Sequence, residues 1–115
     1  TINVAPNNPP IIENLIATAE HKYLKEISTG YKILKGKNCN IECIASDLDG
    51  DELSYKWTYK GIYSEDDIPG EDSVVTWTAP LREGQVTVTI TVSDSRGGIA
   101  TKSIVFTVKT CACAF

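Results

Sequence analysis

Histidine is almost missing from this 115-residue chain: His21 is the only one, and no serine or cysteine forms a recognisable nucleophile motif with it. His21 therefore reads as a surface residue, and the usual hydrolytic arrangements are excluded. Clusters of positive charge are missing too. The 11 Lys+Arg lie scattered against 15 Asp+Glu, for a formal net charge of -4, which argues against a nucleic-acid surface. No apolar run approaches the roughly 20 residues of a membrane helix. No basic-then-apolar leader opens the sequence, so a secretion signal would lie outside it, and the chain reads as a piece of a larger precursor. What is left is one domain, long enough for a single hydrophobic core and without the marks of an enzyme.

The pattern that is present has period two. Residues 1–10 end in Asn7-Asn8-Pro9-Pro10 and read as an extended N-terminal linker, because proline lacks a donor and fixes φ. Ile11 to Ala17 supplies a first strand. The stretch from Glu20 to Gly30 fits either a short helix through Tyr23, Leu24 and Ile27 or an irregular excursion along a sheet edge. Tyr31 to Leu34 is extended, and Gly36 marks a turn. Cys39, Ile41, Cys43 and Ala45 share one face, as do Leu53, Tyr55, Trp57 and Tyr59. Val75, Trp77 and Ala79 alternate with threonines, as do Val86, Val88, Ile90 and Val92; Ile104, Phe106 and Val108 face inward from the last strand. About seven short strands separated by Gly, Pro and Asp turns predict an all-β antiparallel sandwich over residues 11–110, followed by a tail at 111–115. Its core should centre on Trp57 and Trp77.

The four cysteines form two close pairs, Cys39 with Cys43 and Cys111 with Cys113. Residues four apart on a strand are about 13 Å apart, so a Cys39–Cys43 bridge would break the strand. A bridge from Cys111 requires the fold to bring the C-terminus beside that strand; otherwise all thiols are free. Zinc fits these spacings poorly. Cys43, between Ile41 and Ala45 on one face, reads as a small core residue.

The most distinctive segment is Ala45-Ser46-Asp47-Leu48-Asp49-Gly50-Asp51-Glu52-Leu53. Gly50 lets the chain turn tightly, which brings the Asp47, Asp49 and Asp51 carboxylates into a small volume. Two such charges roughly 5 Å apart repel by about 3 kcal/mol at an effective dielectric near 20. A cation relieves that repulsion, and hard oxygen ligands suit calcium. The segment is not an EF-hand loop, since Gly50 is fourth and Thr58 twelfth, where glycine belongs sixth and glutamate twelfth. The competing reading is a solvated turn whose acids cap backbone amides. Asp66 and Asp67 read as a charged loop tip. Trp57, Tyr55, Tyr59 and Trp77 offer an aromatic sugar platform only if they leave the core, and their parity places them in it. Tyr23, Tyr31 and Tyr63, outside the clear strands, are the better candidates for exposed contacts.

Taken together, Asn8-Pro9-Pro10, the 45–57 segment, Val75-Thr76-Trp77-Thr78-Ala79-Pro80 and Val88-Thr89-Ile90-Thr91-Val92-Ser93-Asp94 with Gly97-Gly98 resemble bacterial and archaeal Ig-like repeats. These are related to polycystic-kidney-disease (PKD) and cadherin-like domains. The resemblance covers all but Glu20 to Gly30, where this chain is longer, and the Cys-Ala-Cys-Ala-Phe ending. It implies an Ig-like sandwich in an extracellular or cell-surface protein, often in tandem. It further implies that Asn7, Asn8, the Asp47–Asp51 turn and Asp94 share one end of the sandwich, and Cys39 and Cys111 the other, where a disulfide is feasible. Calcium would then be held by Asp47, Asp49, Asp51 and Asp94, with Asn8 or a carbonyl completing the shell, at an affinity on the order of 0.1–1 mM. The expected function is a non-catalytic spacer, adhesion or interaction module whose partners are neighbouring domains of the same chain, a surface protein or a glycan. The alternative is a carbohydrate- or protein-binding accessory module of a secreted hydrolase.

Overall fold

The computed structural model describes residues 8–19, 23–28, 30–61 and 64–110. Runs of alternating apolar and polar residues cannot close a helical face, and among the described residues they form nine strands and no helix. These are β1 (Ile11–Thr18), β2 (Leu24–Ile27), β3 (Gly30–Leu34), β4 (Asn38–Ser46), β5 (Ser54–Lys60), β6 (Glu65–Ile68), β7 (Val74–Thr78), β8 (Gly84–Ser93) and β9 (Ile99–Lys109). Three of them pair in the order β1-β4-β7 and six in the order β2-β3-β9-β8-β5-β6. The two sheets make an Ig-like sandwich in which every pairing is antiparallel except β3 with β9.

The inner faces follow the alternation. Cys39, Ile41 and Cys43 of β4 pack with Val75 and Trp77 of β7 against Trp57, Val88, Ile90, Val92 and Phe106 of the larger sheet. Each side chain of this size contributes about 1.5–3 kcal/mol on full burial. Trp57 is buried and donates its indole N–H to the Asp72 carbonyl at 2.9 Å. Trp77 meets Phe106 with ring centroids 4.7 Å apart, and Phe106 stacks on Tyr31 at 5.7 Å. This aromatic file crosses from one sheet to the other. On the outer faces, hydroxyls and amides pair across strands, as in Thr78 to Asn38 at 2.6 Å and Thr76 to Asn40 at 2.8 Å.

Three expectations change. The 20–30 stretch contributes no helix among its described residues; it supplies β2, which closes a hairpin on β3 and extends the larger sheet by an edge strand. The acidic 61–72 loop contains the short strand β6, paired to β5. Tyr31 is a core residue, not an exposed contact: its ring stacks on Phe106 and its hydroxyl accepts the Ala17 amide at 3.4 Å. Tyr23 is half-buried with the Lys37 ammonium 4.5 Å from its ring centroid, while Tyr63 and His21 lie outside the described residues. Tyr55, Tyr59 and Ala45 reach only the margin of the core.

Cys39 and Cys43 are buried free thiols on an unbroken strand. Burial pushes the Cys39 thiol up to about 12. The Cys43 thiol is raised by burial as well, with Lys102 opposing. Cys111 and Cys113, and any bridge through them, lie outside the described residues.

Candidate metal centre

The strand directions place the start of β1, the β4–β5 turn and the β8–β9 turn at one end of the sandwich. In the β4–β5 turn, Asp47 folds the backbone locally. Its Oδ1 accepts the Asp49 amide at 2.7 Å, and its carbonyl accepts the Gly50 amide at 3.1 Å. Gly50 has φ 75°, a left-handed conformation that glycine adopts without cost. In the β8–β9 turn, wholly buried Asp94 plays the corresponding part: its Oδ1 accepts the Arg96 and Gly98 amides, each at 2.8 Å. Gly98 is held tightly enough that a Cβ there would lie 2.3 Å from Asp94 Oδ2 and 2.9 Å from Pro9 Cα. Only glycine fits between this turn and the incoming chain.

These turns bring carboxylate oxygens of Asp47, Asp51 and Asp94 within 4.8 Å of one another. At that spacing each pair repels by about 3 kcal/mol for an effective dielectric near 20. Asp47 Oδ2 and Asp51 Oδ2 are buried and accept no hydrogen bond among the described residues. Arg96 Nη1 lies 3.5 Å from Asp51 Oδ2, on a side chain 45% exposed. Carboxylate oxygens gathered across a small gap, two of them buried and accepting no hydrogen bond among the described residues, have the chemistry of a hard-cation site. The residues present therefore fit calcium.

Two of the sequence candidates are used differently. Asp49 is outside the trio, and its carboxylate binds Asn8, accepting the backbone amide at 2.8 Å and the side-chain amide at 3.2 Å. Asn8 and Asp49 thus fasten the incoming chain, and Pro10 next to them is buried. Sequence reading missed Arg96 as the counter-charge and Gly98 as the close-approach residue. The spacing Asp94-x-Arg96-x-Gly98 carried that signal.

A cavity of about 540 Å³ opens between β6 and β7 toward the other end, lined in part by Tyr59, Ile68, Trp77, Leu81, Glu83 and Val86. Glu83 accepts the Thr110 amide at 3.0 Å and the Thr110 hydroxyl at 2.9 Å, and these bonds hold its carboxyl below the usual range.

The bacterial Ig domain family matches residues 7–107. The chain belongs to that family. Domains of this kind typically form parts of extracellular or surface proteins and are generally non-catalytic. The Ig-like domain is similar in fold to the PKD1 domain of Vibrio anguillarum Epp, with TM-score 0.60 and 22% identity over 92% of this chain and 100% of that one. It is also similar to a nucleoside hydrolase-related protein from Saccharophagus degradans, with TM-score 0.65 and 20% identity. There 90% of this chain is covered but only 26% of the other, so the domain corresponds to about a quarter of that protein. No curated protein matches.

Proposed function

We propose that this Ig-like domain is a non-catalytic extracellular spacer whose entry end is stiffened by calcium. The observation carrying the reading is the fastening of Asn8 by Asp49 directly beside the Asp47, Asp51 and Asp94 carboxylates. A tether anchored by two hydrogen bonds and a buried proline has fewer orientations than a free linker, so whatever precedes it is held at a more fixed angle. Calcium would add positive charge among the three clustered carboxylates, drawing the β4–β5 and β8–β9 turns together. Asp47, Asp51 and Asp94 would hold it; Asp49 would hold the chain.

Melting the protein in EDTA and in about 5 mM calcium tests this, because a cation bound only to the folded state raises stability by mass action. The expected result is a higher melting temperature in calcium, lost in Asp51→Asn. Equal melting temperatures and no heat of calcium binding would remove calcium from the account.

A second reading, a carbohydrate-binding accessory module, rests on the cavity beside Tyr59 and Trp77. The Saccharophagus protein is described as associated with carbohydrate metabolism. Binding on a glycan array that is abolished by Tyr59→Ala would favour it over the spacer.

A further inference from the structure

The two sheets of the sandwich are unequal, and the difference falls on one side. The smaller sheet stops at β7, the larger one runs on to β6, and the cavity of about 540 Å³ lies in the step between them. Ile68, Trp77 and Val86 line it, and Leu81, also on its lining, is 73% exposed. β7 presents its edge to this step. Cys43 N to Ser73 O at 2.7 Å and Ala79 N to Lys37 O at 2.9 Å fix which residues of the β4–β7 ladder face each other. By the antiparallel alternation Val75 and Trp77 bond β4, while the N–H and C=O groups of Val74, Thr76 and Thr78 point away from it. Among the described residues no strand meets them. The far wall is acidic. Glu65, Asp66 and Asp67 of β6 and Glu71 and Asp72 of the following turn are all exposed, and Glu83 lines the cavity. Two cations accompany these six acids: Lys60, paired across from Glu65, and Arg82. Lys35, Lys37 and Lys109 belong to the exit end, which is built from the 35–37 and 79–83 turns and the end of β9.

We infer that this step is a docking site for an extended basic peptide segment of another protein, which adds to β7 as a fourth strand of the smaller sheet. Strand and sheet spacings place that segment about 4.8 Å beyond β7 and about 10 Å from the larger sheet, over the cavity. Its backbone pairs with the N–H and C=O groups of Val74, Thr76 and Thr78, and its alternate, apolar side chains enter against Ile68, Trp77 and Val86. Lysine or arginine flanking the apolar positions meets the acidic wall. An edge that needs only protection carries charge on its own strand, but Val74 to Thr78 holds no charged residue and has apolar side chains beside it. A second copy suits the edge less well, because its β7 brings no cation and its β6 brings more carboxylates. The inference is independent of calcium and of the spacer reading, and it assigns to a peptide the cavity on which the carbohydrate reading rests.

Titration in EDTA with a synthetic peptide that alternates valine with threonine and carries lysine at both ends tests it, followed by heat and by amide NMR. At about 20 mM salt the expected Kd is on the order of 10–100 μM, with the largest shifts at Val74, Thr76 and Thr78. The same peptide ending in glutamate, or fully N-methylated so that it donates no ladder hydrogen bond, should bind at least about tenfold more weakly. Thr76→Pro removes one outward donor and should abolish binding. Asp66→Lys/Asp67→Lys leaves the β7 edge intact and should shift the preference to the glutamate peptide. No binding of the lysine peptide up to about 1 mM, equal binding of the lysine and glutamate peptides, or shifts away from β6 and β7 would overturn the inference. Equal binding of the methylated peptide would also overturn it, since the cavity would then take side chains without a strand. So would a chain that dimerises through β7, seen as a doubled mass lost in Thr76→Pro, or a glycan that fills the cavity where the peptide does not. Because EDTA is present throughout, failure of the calcium reading leaves these outcomes unchanged.

Discussion

The entry and exit ends of this domain solve the same problem, closing an Ig-like sandwich, with different chemistry. The entry end is closed by side chains: Asp47 and Asp94 accept backbone amides, and Asp49 accepts the incoming Asn8. The exit end is closed mainly by backbone carbonyls and amides, with Lys35 exposed and Lys37 lying over the Tyr23 ring. Carboxylates used as structural acceptors accumulate negative charge in a confined volume, whereas backbone bonds leave none. An end built on side chains can therefore respond to a cation, and an end built on backbone cannot.

The sharpest way to break this contrast is to delete one side chain from each end. Asp94→Ala leaves the Arg96 and Gly98 amides without their acceptor and should cost about 2–4 kcal/mol in urea unfolding. Lys37→Ala loses only a cation over the Tyr23 ring and should cost under about 1 kcal/mol. If Asp94→Ala proved as stable as the parent, repulsion among the carboxylates would outweigh their hydrogen bonds, and the entry end would be held by something else.

Alkaline pH should probe the core rather than the ends. The folded Cys39 thiol is raised to about 12, whereas an unfolded thiol ionises near 8.5. Its contribution is fully present below about 8.5 and is lost as pH rises toward 12, by on the order of 1.4 kcal/mol per pH unit. Cys43 acts in the same direction. Stability measured from pH 8 to 11 should fall, and Cys39→Ala should flatten the slope; an unchanged slope in that variant would assign the loss elsewhere.

The smallest effect concerns the tether. Asp49→Ala should barely change the melting temperature, because Asp49 and Asn8 are both exposed. Amide exchange at Asn8 should nonetheless quicken about tenfold, the loss of one hydrogen bond of about 1.4 kcal/mol. Unaltered exchange at Asn8 would mean that Pro10 alone anchors the entry segment.

Much of this was legible because period two is a strong signal wherever one face is buried. The inner faces of β4, β7, β8 and β9 and the burial of both tryptophans follow directly from it. The β2–β3 hairpin was not legible. β2 is a four-residue edge strand with little to bury, and Tyr31 takes its place in the core through β9, a partner more than seventy residues away. At the entry end, the gathering of aspartates was readable from Gly50 and the family resemblance. Which carboxylates face one another was not, because Asp49 and Asp51 differ only in how the turn aims them. The alternation that places Tyr31 and Ile33 on one face was present in the sequence, but a strand of five residues beside an unreadable stretch gave it little weight.

The most direct test of the entry-end account is a calcium titration followed by amide NMR up to about 10 mM, well above the weak affinities expected of extracellular modules. Saturable shifts confined to residues 8–10, 47–52 and 94–98, with the 35–37 and 79–83 turns still, are the predicted result. Shifts spread evenly over both ends, or none at all, would contradict it.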